Sequence, residues 1–176
     1  METPHLIYFA DPMCSWCYGF APVMDSLRRA FGQRLVVESI AGGLRPGTTQ
    51  PMTPELREMV VHHWREVNAQ TGRQFRYEGA LPEGFIYDTE PSCRALVTVR
   101  ALKPEAAFDF LHALHEAFYA LGRDITRIDE LASIAREQGV TKADFMAHFG
   151  SSAMRDATEA DFASARALGV DAFPAV

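Results

Sequence analysis

The chain is poor in cysteine. It has three among 176 residues, at positions 14, 17 and 93. That is too few for a fold stapled by disulfides. It also lacks any run or face of basic residues. Its 17 lysines and arginines stand against 23 scattered acidic residues, a formal net charge of −6. Nucleic acid is therefore excluded as the main partner. No apolar run approaches the roughly 20 residues of a membrane-spanning helix, so no membrane partner is expected. The opening residues Met1-Glu2-Thr3-Pro4 contain no lysine or arginine. The apolar stretch after them, Leu6 to Ala10, is too short for a signal-peptide core and is closed by Asp11-Pro12. With Met1 as the start, a cytoplasmic protein is expected. Internal repeats and low-complexity segments are absent.

What is there is enough apolar material for a core. Hydrophobic residues make up 48% of the chain, which excludes disorder. Leu6-Ile7-Tyr8-Phe9-Ala10 reads as a buried strand. A helix is predicted from about Cys14 to Phe31, with Phe20, Val23, Met24, Leu27 and Phe31 near helical spacing. Pro22 should kink it and Gly32 should end it. Arg34 to Ile40 is strand-like. Strand, helix, strand in this order is a βαβ unit with parallel pairing and a right-handed crossover.

After the turn-rich Gly42-Gly43-Leu44-Arg45-Pro46-Gly47, helical signals follow one another. Thr53-Pro54-Glu55 opens a helix with Leu56, Met59, Val60, Trp64 and Val67 on one face, stopped by Gly72. A polar, glycine-containing segment covers 73–87. Further helices start at Pro91 and Pro104, run from Ile128 to before Gly139, and follow a capping-box pattern at Thr141–Asp144. The last is predicted over about Met154 to Leu168. His112 and His115 read as a helix-surface pair.

Cys14 and Cys17, within Asp11-Pro12-Met13-Cys14-Ser15-Trp16-Cys17, carry the chemistry. A disulfide needs Cα atoms within about 7 Å, and positions three apart at a helix start meet that. The first sulfur then lies where free N–H groups and the helix dipole favour an anion. The thiolate is the nucleophile, so this placement activates Cys14. Cys17, one turn further in, would attack a mixed disulfide and release the substrate. A zinc site would need two further ligands at close spacing. Neither Cys93 nor the histidines provide them, so no metal is expected. Ser15 and Trp16, between the cysteines, are candidates for substrate contact. Trp16 and Met13 are the residues expected to be exposed, forming an apolar rim. Cys93 reads first as a buried small residue, and second as a thiol near the active groove. Arg45 is expected near the groove.

The order of these features resembles the DsbA-like thioredoxin family: a strand, Cys-x-x-Cys at a helix start, a second strand, helices, then Gly169-Val170-Asp171-Ala172-Phe173-Pro174. The likeness extends to Gly42–Gly47, to Asp88-Thr89-Glu90-Pro91-Ser92-Cys93-Arg94-Ala95 and to Gly122-Arg123-Asp124-Ile125. It implies an α/β, thioredoxin-like fold with a large all-helical insertion over 49–150, the thioredoxin-like part being 1–48 and 151–176. It also implies that Cys14 attacks, that Cys17 resolves, and that Pro174 is a cis-proline facing the disulfide. Phe173 would offer its backbone to a bound polypeptide. Two features depart from the family. The position six residues before the first cysteine, an acid in many relatives, is Tyr8, which leaves Asp11 and Glu38 as candidate proton acceptors. The two further strands and final helix that the resemblance implies are not found before Val176, so the sequence is expected to be a piece of a longer protein or, failing that, to have the bare edge of its first strand covered by another chain, an edge open to oligomerisation.

The function expected is thiol–disulfide exchange with protein, peptide or small-molecule partners. No cofactor beyond the cysteine pair is expected, with glutathione a candidate reductant. The alternatives are a glutathione-dependent isomerase or transferase on the same scaffold, a binding module, and a catalytically impaired fragment.

Overall fold

Residues 3–176 are described by a computed structural model. The apolar run after Pro4 is extended as β1, His5–Ala10, and pairs in parallel with β2, Val36–Ala41. His5 stands opposite Val36 and Ala10 opposite Ala41. The crossover is α1, Ser15–Phe31, which runs unbroken through Pro22 and closes at Gly32, φ +52°. The other edge of β1 is met by the last residues of the chain. Phe9 and Ala175 exchange two backbone hydrogen bonds, of 2.9 and 3.1 Å, as an antiparallel bridge. The edge is thus covered at Phe9. Only the second half of β1, Tyr8 to Ala10, is buried, whereas Ile7 is 42% exposed. The expectation of a buried strand therefore fails for its first half, which borders an open apolar groove shared with Leu168 and Val170.

The remaining elements are helices. They are α2, Pro54–Thr71; α3, Glu90–Leu102; α4, Ala107–His115; α5, Ile128–Glu137; α6, Lys142–Phe149; and α7, Ser152–Ala167. Their starts follow local chemistry. Thr53 Oγ1 accepts the Leu56 N–H at 3.2 Å, Thr141 Oγ1 the Asp144 N–H at 3.1 Å, and Ser151 Oγ the Met154 N–H at 3.2 Å. Each satisfies one amide that the helix itself leaves free. A 3₁₀ turn, Pro104–Ala106, leads into α4, and a π-helical turn, Glu116–Ala120, prolongs it.

Helix α3 is the hub: it touches β2, α4, α5, α6 and α7. One continuous core runs from Tyr8 and Met24 at the sheet through Trp64, Leu96 and Leu111 to Phe145 and Phe162. A polar clamp joins β2, α3 and α7. Arg100 donates two bonds of 2.8 Å to the Asp161 carboxylate and one of 2.6 Å to the Ser39 carbonyl, and Asp161 also accepts the Ala41 N–H at 2.8 Å.

The segment 73–87 has no regular element, yet Phe75, Leu81, Phe85 and Tyr87 are buried. Its aromatics fill the space between α2 and the π turn. Phe75 lies 5.6 Å from the Trp64 ring and 5.3 Å from that of Tyr119, centroid to centroid. Reading this segment as merely polar missed part of the core, because its apolar residues follow neither a helical nor a strand period.

Candidate active site

The chain leaves β1 and turns sharply into α1. Asp11 builds that turn with both backbone and side chain. Its carbonyl accepts the Cys14 N–H at 3.0 Å, and Oδ1 accepts the Met13 N–H at 2.8 Å. Cys14 is the residue just before the helix, with extended backbone (φ −95°, ψ 115°), and its carbonyl accepts the Tyr18 N–H at 3.1 Å. The sulfur of Cys14 therefore sits at the open end of the α1 dipole. It lies 3.4 Å from the carbonyl oxygen of Phe173, and the Phe173–Pro174 peptide bond is cis. Cys17 is fully buried one turn further in. Both cysteines are free thiols here. Burial first, then the neighbouring Cys14, pushes the Cys17 thiol well above its ordinary range, while the Asp11 N–H acts in the opposite direction.

The two candidate acids separate cleanly. Glu38 is exposed on β2. Asp11 is fully buried. Its Oδ2 accepts the Leu44 N–H at 2.7 Å and lies 3.3 Å from the Cys93 thiol. Burial raises the Asp11 carboxyl above its usual value, against the pull of the two amides. Cys93 is fully buried in α3, and burial together with the Asp11 charge raises its thiol. Tyr8, six residues before Cys14, is also buried. Its phenol is held neutral by burial and by the charges that Cys17 and Cys14 would carry.

Two expectations are corrected. Met13 is fully buried, not part of an exposed rim, because both of its backbone polar groups are tied inward: its N–H to Asp11 and its carbonyl to the Tyr87 hydroxyl at 2.6 Å. Trp16 is 36% exposed. His115 does not share a helix surface with His112. It is buried, and its Nε2–H faces the Asp11 carbonyl at 3.2 Å, while Nδ1 has no partner among the described residues. The lack of solvent, reinforced by the His112 charge, lowers its pKa to about 3. Among the described residues, no cluster of three or more histidine, cysteine or acidic side chains could hold a metal ion.

The loop after β2 shapes the opposite wall. A Cβ at Gly42 would stand 2.4 Å from the Phe173 ring, and one at Gly43, φ +72°, 2.6 Å from the Phe162 ring. Only glycine leaves room for both aromatics. Thr89, ahead of α3, pins this loop: its Oγ1 accepts the Arg45 N–H at 3.0 Å and its N–H donates to the Arg45 carbonyl at 3.3 Å.

These walls enclose a cleft of about 300 Å³ that opens on Cys14. Ser15, Trp16 and Phe173 line it with Cys14, as does Arg45; Cys17 and Pro174 do not. Other clefts, along Arg28 and beside β1, contain no thiol. Tyr87, His115, Thr89 and Gly42 support the site without having been singled out for it. In the sequence, Tyr87 lies in an unpatterned stretch, Gly42 and Thr89 in stretches that carry the family likeness, and His115 on a predicted helix.

A family model described as "DSBA-like thioredoxin domain" matches residues 5–176. Among solved structures, a "putative protein disulfide isomerase" from Nitrosomonas europaea is 42% identical, with a TM-score of 0.93, covering 98% of this chain and 83% of that one. The cytosolic disulfide reductase DsbM from Pseudomonas aeruginosa is 28% identical, with a TM-score of 0.81, over 97% of this chain and 82% of that one. That protein has also been solved with GSH. A curated relative, the ClpXP adapter protein SpxH of Halalkalibacterium halodurans, is 25% identical over 98% of this chain. The chain spans 58% of the length of that relative.

Proposed function

Because the chain belongs to the DSBA-like thioredoxin family, we propose that it exchanges a Cys14–Cys17 dithiol/disulfide pair with thiol and disulfide substrates. The observation that carries this reading is the position of Cys14. Its sulfur lies at the start of α1 and faces the Phe173 carbonyl across a cleft open to substrate. The Cys14 thiolate attacks a substrate disulfide, forms a mixed disulfide and expels one substrate thiolate. Cys17 then attacks the Cys14 sulfur, closes the Cys14–Cys17 disulfide and releases the second substrate thiol. Burial keeps Cys17 a thiol between turnovers and hides it from solvent, so only Cys14 meets substrate. Ser15, Trp16 and the backbone at Phe173 contact the substrate, and Pro174 holds that backbone in place. A low-molecular-weight thiol, glutathione being the candidate, returns the electrons. In the reducing cytoplasm the net direction is disulfide reduction. This location is part of the proposal, alongside the finding that no helix described is long and apolar enough to cross a membrane.

Insulin reduction by wild type, Cys14→Ser and Cys17→Ser tests the reading. Cys14→Ser should fall to the uncatalysed rate. Cys17→Ser should accumulate a mixed disulfide on Cys14, visible as an intact-mass adduct. Equal turnover by wild type and Cys14→Ser rejects the mechanism. It favours instead a binding module, the reading that the name of the curated adapter relative suggests.

A further inference from the structure

Arg45 is positioned for a ligand that the fold itself does not supply. Its backbone is fixed on both sides by Thr89, so the residue does not wander with its loop. Its guanidinium makes no hydrogen bond or ion pair among the described residues. It lies over the ring of Tyr87, 5.9 Å from the centroid. That ring is pinned in turn by its hydroxyl to the carbonyl of Met13, the residue before Cys14. A short rigid path therefore ties a free cation to the attacking sulfur, and both line one cleft.

The rest of the lining completes the pattern. Leu44, Trp16 and Met59 are exposed apolar side chains at the cleft. Asp171 lies on its wall beside Ala172 and Phe173, and it too has no ion-pair partner among the described residues. At about 300 Å³, the cleft is at the small end of the range for small-molecule sites. A planar guanidinium recognises a carboxylate through paired, charge-assisted hydrogen bonds, and Asp171 complements an ammonium.

We propose that Arg45 is a specificity-determining residue that anchors a carboxylate of a small zwitterionic thiol, such as a γ-glutamyl peptide, as its sulfur reacts at Cys14. The inference rests on the exchange reading above, which already names a low-molecular-weight thiol, and adds the residue that selects it. The thiolate of one such molecule attacks the Cys14 sulfur of the Cys14–Cys17 disulfide. A mixed disulfide forms, the Cys14–Cys17 bond breaks, and Cys17 leaves and takes up a proton. The thiolate of a second molecule attacks the small-molecule sulfur of the mixed disulfide. Cys14 is released and the oxidised dimer of the small thiol departs. Two thiols are oxidised and one protein disulfide is reduced.

The test follows reduction of the oxidised protein by stopped-flow tryptophan fluorescence, with Trp16 between the two cysteines as the reporter. Glutathione, uncharged 2-mercaptoethanol and cationic cysteamine are compared on wild type, Arg45→Met and Arg45→Lys. Each variant rate is divided by the wild-type rate with the same thiol, which cancels the intrinsic reactivity of that thiol. Arg45→Met should slow glutathione by roughly tenfold or more, the loss of one charge-assisted contact. It should leave the 2-mercaptoethanol rate unchanged, and Arg45→Lys should retain part of the glutathione rate. An equal loss with all three thiols, or no loss with glutathione, overturns the assignment. A wild-type disulfide that no thiol reduces would instead overturn the exchange reading, and this inference with it.

Discussion

His115 sits one hydrogen bond behind the turn that carries Cys14, in a place where its charged form has no solvent. Its pKa in the fold is about 3, against an ordinary 6.5. Above pH 6.5 it is neutral both folded and unfolded, so it adds no pH dependence. As the pH falls below 6.5, the unfolded chain binds a proton there and the folded chain does not. The fold then loses up to about 1.4 kcal/mol per pH unit from this group until the folded pKa is reached. Asp11 works the other way: its raised carboxyl takes up a proton in the folded state first. The comparison that isolates His115 is therefore wild type against His115→Gln, by urea unfolding from roughly pH 7.5 to 4.5. The slope of stability against pH should differ by close to one proton in the acid half of the range. Parallel curves would show that His115 titrates normally in the fold.

At the scale of elements, the clamp between β2, α3 and α7 does what helix propensity cannot. Each helix has its own cap or apolar face, but none of these specifies which helix lies against the second strand. Arg100 and Asp161 do so, because their hydrogen bonds end on the backbone of Ser39 and Ala41. Asp161 is nearly buried, its side chain 8% exposed, and that of Arg100 23%. Removing the negative charge leaves Arg100 without its counterion in a half-dry site. Asp161→Asn should cost about 3 kcal/mol, read as a lowered urea midpoint with an unchanged m-value. The same clamp holds the strand end from which the Gly42 loop departs. Insulin reduction at a temperature where Asp161→Asn is still folded should therefore fall further than the folded fraction alone explains.

For the whole molecule, the sequence suggests a division into 1–48 with 151–176 and an intervening helical insertion over 49–150. The core crosses that division: Tyr8 and Met24 belong to the same apolar cluster as Trp64, Leu111 and Phe145. The two tryptophans stand one on each side, Trp16 in α1 and Trp64 in α2. Trp16→Phe and Trp64→Phe each leave a single reporter. The reporters should give coincident denaturation curves, once each is referred to the circular dichroism transition of its own variant. A reporter that separates from that transition would mean that the insertion unfolds as an independent unit.

The sequence by itself determined the features that short-range physics controls. The spacing of Cys14 and Cys17 and their place at a helix start followed from a strand ended by Asp11-Pro12. The βαβ unit followed from two apolar runs around one periodic helix. The caps at Thr53 and Thr141 and the stops at Gly32 and Gly72 followed from side chains bonding backbone a few residues away, or from backbone angles that only glycine adopts cheaply. What the sequence left open was everything fixed by contacts between distant segments. Met13 looked like a rim residue and is core, since Tyr87, 74 residues away, ties down its carbonyl. His115 looked like a surface histidine, and only the arrival of Asp11 beside α4 made it a buried one. Asp11 and Glu38 could not be ranked until packing buried the first and left the second in water. Burial is a property of the assembled core, and neither residue type nor local spacing reports it.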